Sequence, residues 1–181
     1  RYYYCWEIIP EQGLIVFGDT FGRIEFIDLY TGKRRLLEQI HDDIITKITY
    51  IYDNSQEIKI LSSSADGLIK EWRFTEEKLV LVSEFGDRDK PVLDLVLTQN
   101  KDTIISCHLH GEIIFREYPF GSELLRINAH SEKVDQLKLS SDNRYLISKS
   151  DDLTIKVWDI IRAIDEFGNS ENIFTYKKVI T

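Results

Sequence analysis

The segment His130-Ser-Glu-Lys-Val134-Asp-Gln-Leu137-Lys-Leu139, continuing through Asp142-Asn143, Leu146-Ile-Ser148-Lys-Ser150-Asp151-Asp152 and Thr154-Ile-Lys-Val-Trp158-Asp159, alternates apolar and polar residues in short runs. That alternation is the period of half-buried strands. Asp142-Asn143 and Asp151-Asp152 supply turns between the runs, because Asp and Asn side chains hydrogen-bond the backbone just ahead of them. The same order of residue types stands upstream as His41-Asp-Asp-Ile-Ile45-Thr-Lys-Ile48, then Ile60-Leu-Ser62-Ser-Ser64-Ala65-Asp66-Gly67-Leu-Ile-Lys-Glu-Trp72. Trp72 and Trp158 are 86 residues apart, twice 43. A copy midway is therefore expected, and Ile104 to Arg116 fits it, with Arg116 in the tryptophan slot. A fourth copy runs from Ile15 to Asp28, with Ile27 in that slot. The anchors Ile27, Trp72, Arg116 and Trp158 are spaced by 45, 44 and 42 residues. A period in that range, with about four strands per unit, marks a propeller blade.

Composition agrees. Of 181 residues, 43% are hydrophobic and 30% charged, which are globular proportions. Isoleucine occurs 25 times and alanine 3 times, beside 9 Tyr and 9 Phe, a bias toward sheet. No apolar run approaches the roughly 18–20 residues that span a bilayer as a helix. Two cysteines, Cys5 and Cys107, make no disulfide framework, so a reducing, cytoplasmic compartment is expected. The net charge of −8 repels phosphate backbones and argues against general nucleic-acid binding. Arg1 opens the chain and methionine is absent, which suggests a piece of a longer protein.

These four copies in register resemble the WD-repeat β-propeller family. The resemblance rests on His130, Asp152 and Trp158-Asp159, on His41, Asp66 and Trp72, and on the turn Tyr30-Thr31-Gly32-Lys33 after Asp28. It implies an all-β fold of four-stranded antiparallel blades, at about 1–40, 41–85, 86–128 and 129–181. The family mostly closes with seven blades, so the four are expected to belong to a larger propeller or to be completed by another chain. In the family a histidine, a turn Asp, a strand Ser and a Trp form one hydrogen-bonded chain. Carried over, the sets are His41, Ser62 or Ser64, Asp66 and Trp72, and His130, Ser148 or Ser150, Asp152 and Trp158. Serines two apart share a strand face, so the alternation does not separate them; Ser64 and Ser150, nearest the turn, are taken as members.

Ser, His and Asp together also suggest a catalytic triad. That chemistry needs an exposed nucleophile and an oxyanion hole, and the chain has neither a Gly-x-Ser-x-Gly elbow nor a phosphate-binding loop, His-Glu-x-x-His or paired-cysteine zinc spacing. No enzyme activity, cofactor or metal is expected. The third repeat departs from the pattern. Arg88 stands in the leading-histidine slot, His110 in the turn-Asp slot and Arg116 in the Trp slot, so no buried chain is expected there. His108 and His110 are too few for a metal site. The aromatic opening Tyr2-Tyr-Tyr-Cys-Trp6 is expected to pack in or beside an innermost strand, and Lys33-Arg34-Arg35 to guard an outer edge.

The resemblance implies a protein-binding scaffold in a multiprotein assembly, of which cytoskeletal, ciliary and nuclear kinds are known, without membrane insertion. The alternative is an accessory propeller of a larger enzyme or RNA-processing machine. Candidate partner-binding residues are Arg88, Leu109, His110, Lys133 and Asp151 at turns. Ile164 and Phe167 are added because Ile160, Ile161, Ile164 and Phe167 fall at helical spacing, which predicts a short helix near 160–167.

Overall fold

The computed structural model describes residues 2–52, 57–75, 78–164 and 170–180, with side chains described through residue 160. The chain is all-β, built of four-stranded antiparallel blades of the β-propeller type. The first blade holds β1 (Tyr3–Ile9), β2 (Leu14–Asp19), β3 (Arg23–Asp28) and β4 (Arg34–Gln39). The second holds β5 (Ile45–Tyr52), β6 (Ile58–Ser64), β7 (Leu68–Thr75) and β8 (Lys78–Gly86). The third holds β9 (Val92–Leu97), β10 (Thr103–His108), β11 (Glu112–Glu117) and β12 (Glu123–Asn128). The fourth holds β13 (Val134–Leu139), β14 (Tyr145–Ser150), β15 (Ile155–Ile164) and β16 (Ser170–Ile180). Within each sheet the strands pair in chain order.

The repeat extends to the irregularities. Where the third strand of a blade pairs with its fourth, the register slips between Phe26 and Ile27, Glu71 and Trp72, Phe115 and Arg116, and Val157 and Trp158. The slip falls at the tryptophan slot every time, so even the two blades that lack Trp keep the bulge that re-aims this side chain.

The chain divides into two compact units, Arg1–Leu93 and Asp94–Thr181. In the first, the isoleucine-rich strands pack Ile9, Val16, Ile24 and Phe26 against Ile45, Ile48, Ile60 and Trp72. Phe26 and Phe74 stack with centroids 4.5 Å apart. Full burial of each such side chain is worth about 1.5–3 kcal/mol. In the second unit every residue of β10 is buried, and its neighbours Ile113, Phe115, Val134, Leu137 and Leu146 fill the core. The Asp94 carboxylate accepts the Leu137 N–H at 2.9 Å, and the Asn143 Oδ1 accepts the Gln99 N–H at 3.0 Å, so polar groups also tie the third blade to the fourth.

Three glycines sit where the chain crosses over its own turn. Gly22, Gly67 and Gly111 all have φ near +80°, and a Cβ on any of them would lie 2.0–2.1 Å from the carbonyl oxygen of His41, Asp87 or His130 respectively. In the fourth blade the matching residue is Leu153, with φ +67° and 87% exposed.

Two expectations are corrected. The helix predicted over 160–167 is not formed through Ile164: β15 runs to that residue and pairs from Ile160↔Phe174 to Ile164↔Ser170. Short apolar runs fit both periods, and isoleucine, stiff at χ1, favours the strand once a partner strand is at hand. Phe167 lies outside the described residues. The Trp6 side chain, although on β1, is 61% exposed, as are the flanking Tyr4 and Ile8 in large part. Among the described residues no helix is long and apolar enough to cross a membrane.

Candidate functional site

The second and fourth blades carry the same buried side-chain set. His41 Nδ1 lies 2.9 Å from Asp66 Oδ2 and its Nε2 2.8 Å from Ser62 Oγ, while the Trp72 indole donates to Ser62 Oγ at 3.0 Å. In the fourth blade His130 lies 2.8 Å from Asp152 and 2.7 Å from Ser148, and Trp158 donates to Ser148 at 2.9 Å. The partners fix the proton positions. Indole can only donate, so the serine hydroxyl accepts from it and gives its own proton to Nε2; Nδ1–H then faces the carboxylate. Asp66 also accepts the N–H groups of Asp42 and Leu68, and Asp152 those of Ser131 and Thr154.

Ser62 and Ser148 are the serines of these chains, not Ser64 and Ser150. Ser64 ends its strand, where its hydroxyl accepts the Asp66 N–H at 3.0 Å and donates to the Asp43 carbonyl; Ser150 does the same with Asp152 and Glu132. Two residues along a strand is about 6.6 Å. The inner serine sits at the depth of the indole and the outer one at the depth of the turn.

Electrostatics follow from the partners. Burial alone would raise the Asp66 carboxyl, but the hydrogen bond from His41, with the two backbone N–H groups, outweighs it and brings it down to about 2. Asp152 is likewise lowered, burial being overcome by the Thr154 hydroxyl and His130. Burial pushes the His130 imidazole below its ordinary value despite Asp152, which keeps the ring neutral. Neither Ser62 nor Ser148 has any exposed surface, and each hydroxyl is held on both sides. A hydroxyl so placed meets no substrate carbonyl.

The third blade holds a buried chain after all, of different make. Arg116 is buried, and its Nη1 donates to Ser106 Oγ at 3.2 Å, where the indole donates in the other two blades. His108 Nε2 lies 3.0 Å from the same hydroxyl. His108 stands two residues beyond Ser106 on β10, in the place of Ser64, and its Nε2 meets the serine hydroxyl as that of the leading histidine does in the other two blades. Arg88, in the leading slot, points outward to Asp42 at 3.1 Å, and His110 is exposed. In the first blade the turn is capped by Asp19, which accepts the N–H groups of Phe21 and Arg23 and pairs with the Arg23 guanidinium. Deeper in that blade the buried Glu25 is met by Tyr3 and Arg34.

The turn residues named as partner-binding candidates are reached by solvent. Leu109 and His110 are exposed at the β10–β11 turn, and Lys133 pairs with Asp151 at 3.3 Å. Thr46, near the start of β5, is buried between Ser63 Oγ and the Val92 carbonyl. Among the described residues no group of three or more His, Cys, Asp or Glu could hold a metal ion.

A family model described as "WD domain, G-beta repeat" matches residues 121–159, the stretch that carries His130, Ser148, Asp152 and Trp158. Residues 121–159 thus match one WD repeat. Curated relatives include the B-type cell cycle switch protein ccs52A of Medicago truncatula, 26% identical over 54% of this chain and 20% of that protein. Protein FIZZY-RELATED 3 of Arabidopsis thaliana is 23% identical over 68% of this chain and 26% of that protein. Periodic tryptophan protein 2 of the same plant is 21% identical over 94% of this chain and 19% of that protein. The chain thus spans about a fifth to a quarter of the length of these relatives. Among solved structures, the computationally designed Ika8 protein matches with a TM-score of 0.67 at 21% identity, over 87% of this chain and 46% of that one.

The sequence reading of the WD repeats missed Asp19, His108 and the depth of the serines. Asp19 sits where Ser64 and Ser150 sit, and counting back from the shared glycine finds it. His108 is found the same way, as a ring-bearing residue on the strand face of Ser106.

Proposed function

We propose that this chain is a non-catalytic scaffold that holds other proteins in an assembly, working in the cytoplasm without cofactor, metal or direct nucleic-acid contact. One observation carries the reading: the Ser, His and Asp side chains that could do chemistry are spent on one another inside the blades, while the turns beside them expose charged and apolar residues. Likeness to WD-repeat relatives, generally interaction proteins, supports it. The exposed Tyr4, Trp6 and Ile8 on β1 support a further blade, from the same or another chain, packing there. Arg88 in the first unit, and Leu109, His110, Lys133 and Asp151 in the second, are the proposed partner-binding residues; Ile164, on β15, joins them by its place in sequence. Arg and apolar anchors are enriched among the residues that dominate binding.

The test is affinity capture from the native extract with Arg88→Glu and, separately, Leu109→Asp. Loss of a captured protein at an unchanged melting temperature supports the reading; unfolding with no selective loss goes against it. A second reading, an accessory part of a larger enzyme or RNA-processing machine, is favoured by the small share of the relatives' length that the chain spans.

A further inference from the structure

At the end of the third and fourth blades away from the His and Asp turns, the second unit holds a cavity of about 310 Å³. Ile105, Phe115 and Ile160 make its apolar wall, and Thr98, Asn100, Thr103, Asp142 and Asn143 its polar one. That volume is at the bottom of the roughly 300–1,000 Å³ range of small-molecule sites, enough for one whole amino-acid residue and part of the next.

The polar wall is not uniform. Thr98 and Thr103 are consumed by the turn they sit in: Thr98 Oγ1 serves Asp102 and the backbone of Thr103, and Thr103 Oγ1 donates to Asp102. The two asparagines are half used, in opposite senses. Asn100 donates through Nδ2 to Asp102 at 2.7 Å, which fixes its flip and leaves the acceptor Oδ1 over. Asn143 accepts the Gln99 N–H through Oδ1, which leaves the donor Nδ2 over. Asp142 receives the Ser140 hydroxyl and the Arg144 N–H on Oδ1, and its Oδ2 is left. The neighbouring Arg144 does not neutralise it, since that guanidinium turns to Asp159 and over the Tyr145 ring.

An apolar hole of one-residue size, one amide acceptor, one amide donor and one carboxylate together match a specific ligand. An extended peptide offers a main-chain N–H and C=O on the same residue whose side chain projects. We propose that this cavity is a docking subsite for a linear peptide of another protein, taking a leucine-sized aliphatic side chain whose N–H meets Asn100 and whose C=O meets Asn143, with a basic residue next in sequence facing Asp142. The assignment goes beyond the turn residues and stands whether or not those bind a partner.

The test is a titration of the ¹⁵N-labelled chain, followed by amide shifts, with acetyl-Leu-Arg-amide, acetyl-Leu-Glu-amide and acetyl-Gly-Arg-amide. The first should give saturable shifts at Gln99 and Asn143. The glutamate peptide should bind roughly twofold to fivefold more weakly, the scale of an exposed charge pair. The glycine peptide should lose at least about tenfold, since the apolar burial is gone. Asp142→Asn, a surface change of equal size, should weaken the arginine peptide and remove most of its advantage over the glutamate one. Equal binding of all three peptides, an unchanged affinity in Asp142→Asn, or saturable shifts only around residues 109–110 and 151–153 would overturn the subsite; the last would leave the turn-based scaffold reading standing.

Discussion

The second and third blades solve one packing problem with different chemistry. Both must fill the space around a serine hydroxyl buried on the second strand, Ser62 or Ser106. In the second blade an imidazole arrives from the preceding turn, anchored by a turn carboxylate, and an indole closes the set. In the third the imidazole comes from the same strand as the serine and a guanidinium stands in for the indole. Slot-by-slot reading finds the third blade degenerate, because all three expected residues are replaced. The lesson is that a hydroxyl needing a donor and an acceptor sets the constraint, and a repeat can meet it from another position.

Five substitutions would break or sharpen that comparison. The largest effect should come from Trp158→Ala, which deletes a buried indole and should cost about 3–5 kcal/mol in a denaturant melt. A loss below about 1 kcal/mol would mean the set is ornamental to the blade. Next, Ser148→Ala leaves both His130 Nε2 and the Trp158 N–H without their partner and should cost about 1–3 kcal/mol. Ser150→Ala removes only a turn hydrogen bond, about 0.5–1.5 kcal/mol. Equal costs in parallel melts would undo the assignment of the inner serine.

The third effect emerges only in acid. The folded Asp66 carboxyl titrates at about 2 against 3.8 for a free one, so the stability it contributes is whole above about pH 4 and is lost as pH falls toward 2. His130 acts in the same sense earlier: its folded imidazole titrates below 6.5, so the unfolded chain takes up the proton first and stability declines from there down. Hydrogen exchange should therefore show β6 and β14 opening as the pH is lowered, and Asp66→Asn should flatten the loss between pH 4 and 2. The smallest effect belongs to Arg88→Gln. It breaks an exposed pair with Asp42, worth about 0–1 kcal/mol, and a larger drop in melting temperature would place Arg88 inside the fold after all.

Much of this was legible from residue order. The 42–45 residue period located all four sheets, since a turn Asp or Gly and an anchor at fixed offset leave room for only one register. What stayed hidden concerns depth and direction. Alternation tells which face Ser62 and Ser64 share but not which of them reaches the indole. Arg116 in an indole slot argued against a buried chain because a charged group is costly to bury unpaired; its use of Ser106 became visible only with the strands in place. The isoleucines of 160–164 satisfy both a helical and an extended pattern, and the pairing with 170–174 decides between them.

Leu153 has a consequence for how such a chain tolerates change. At Gly22, Gly67 and Gly111 any side chain would have to displace a carbonyl about 2 Å away, so these three sites are closed to every other amino acid on steric grounds alone. Leu153 holds the same left-handed backbone with a side chain that solvent reaches freely, and its penalty is the torsional one, on the order of 1–3 kcal/mol. The fourth position is thus the one member of the series at which drift is permitted. A change to glycine there relieves torsion and removes an apolar knob from the surface, whereas the reverse change at its three counterparts pries a strand connection off the blade beneath it.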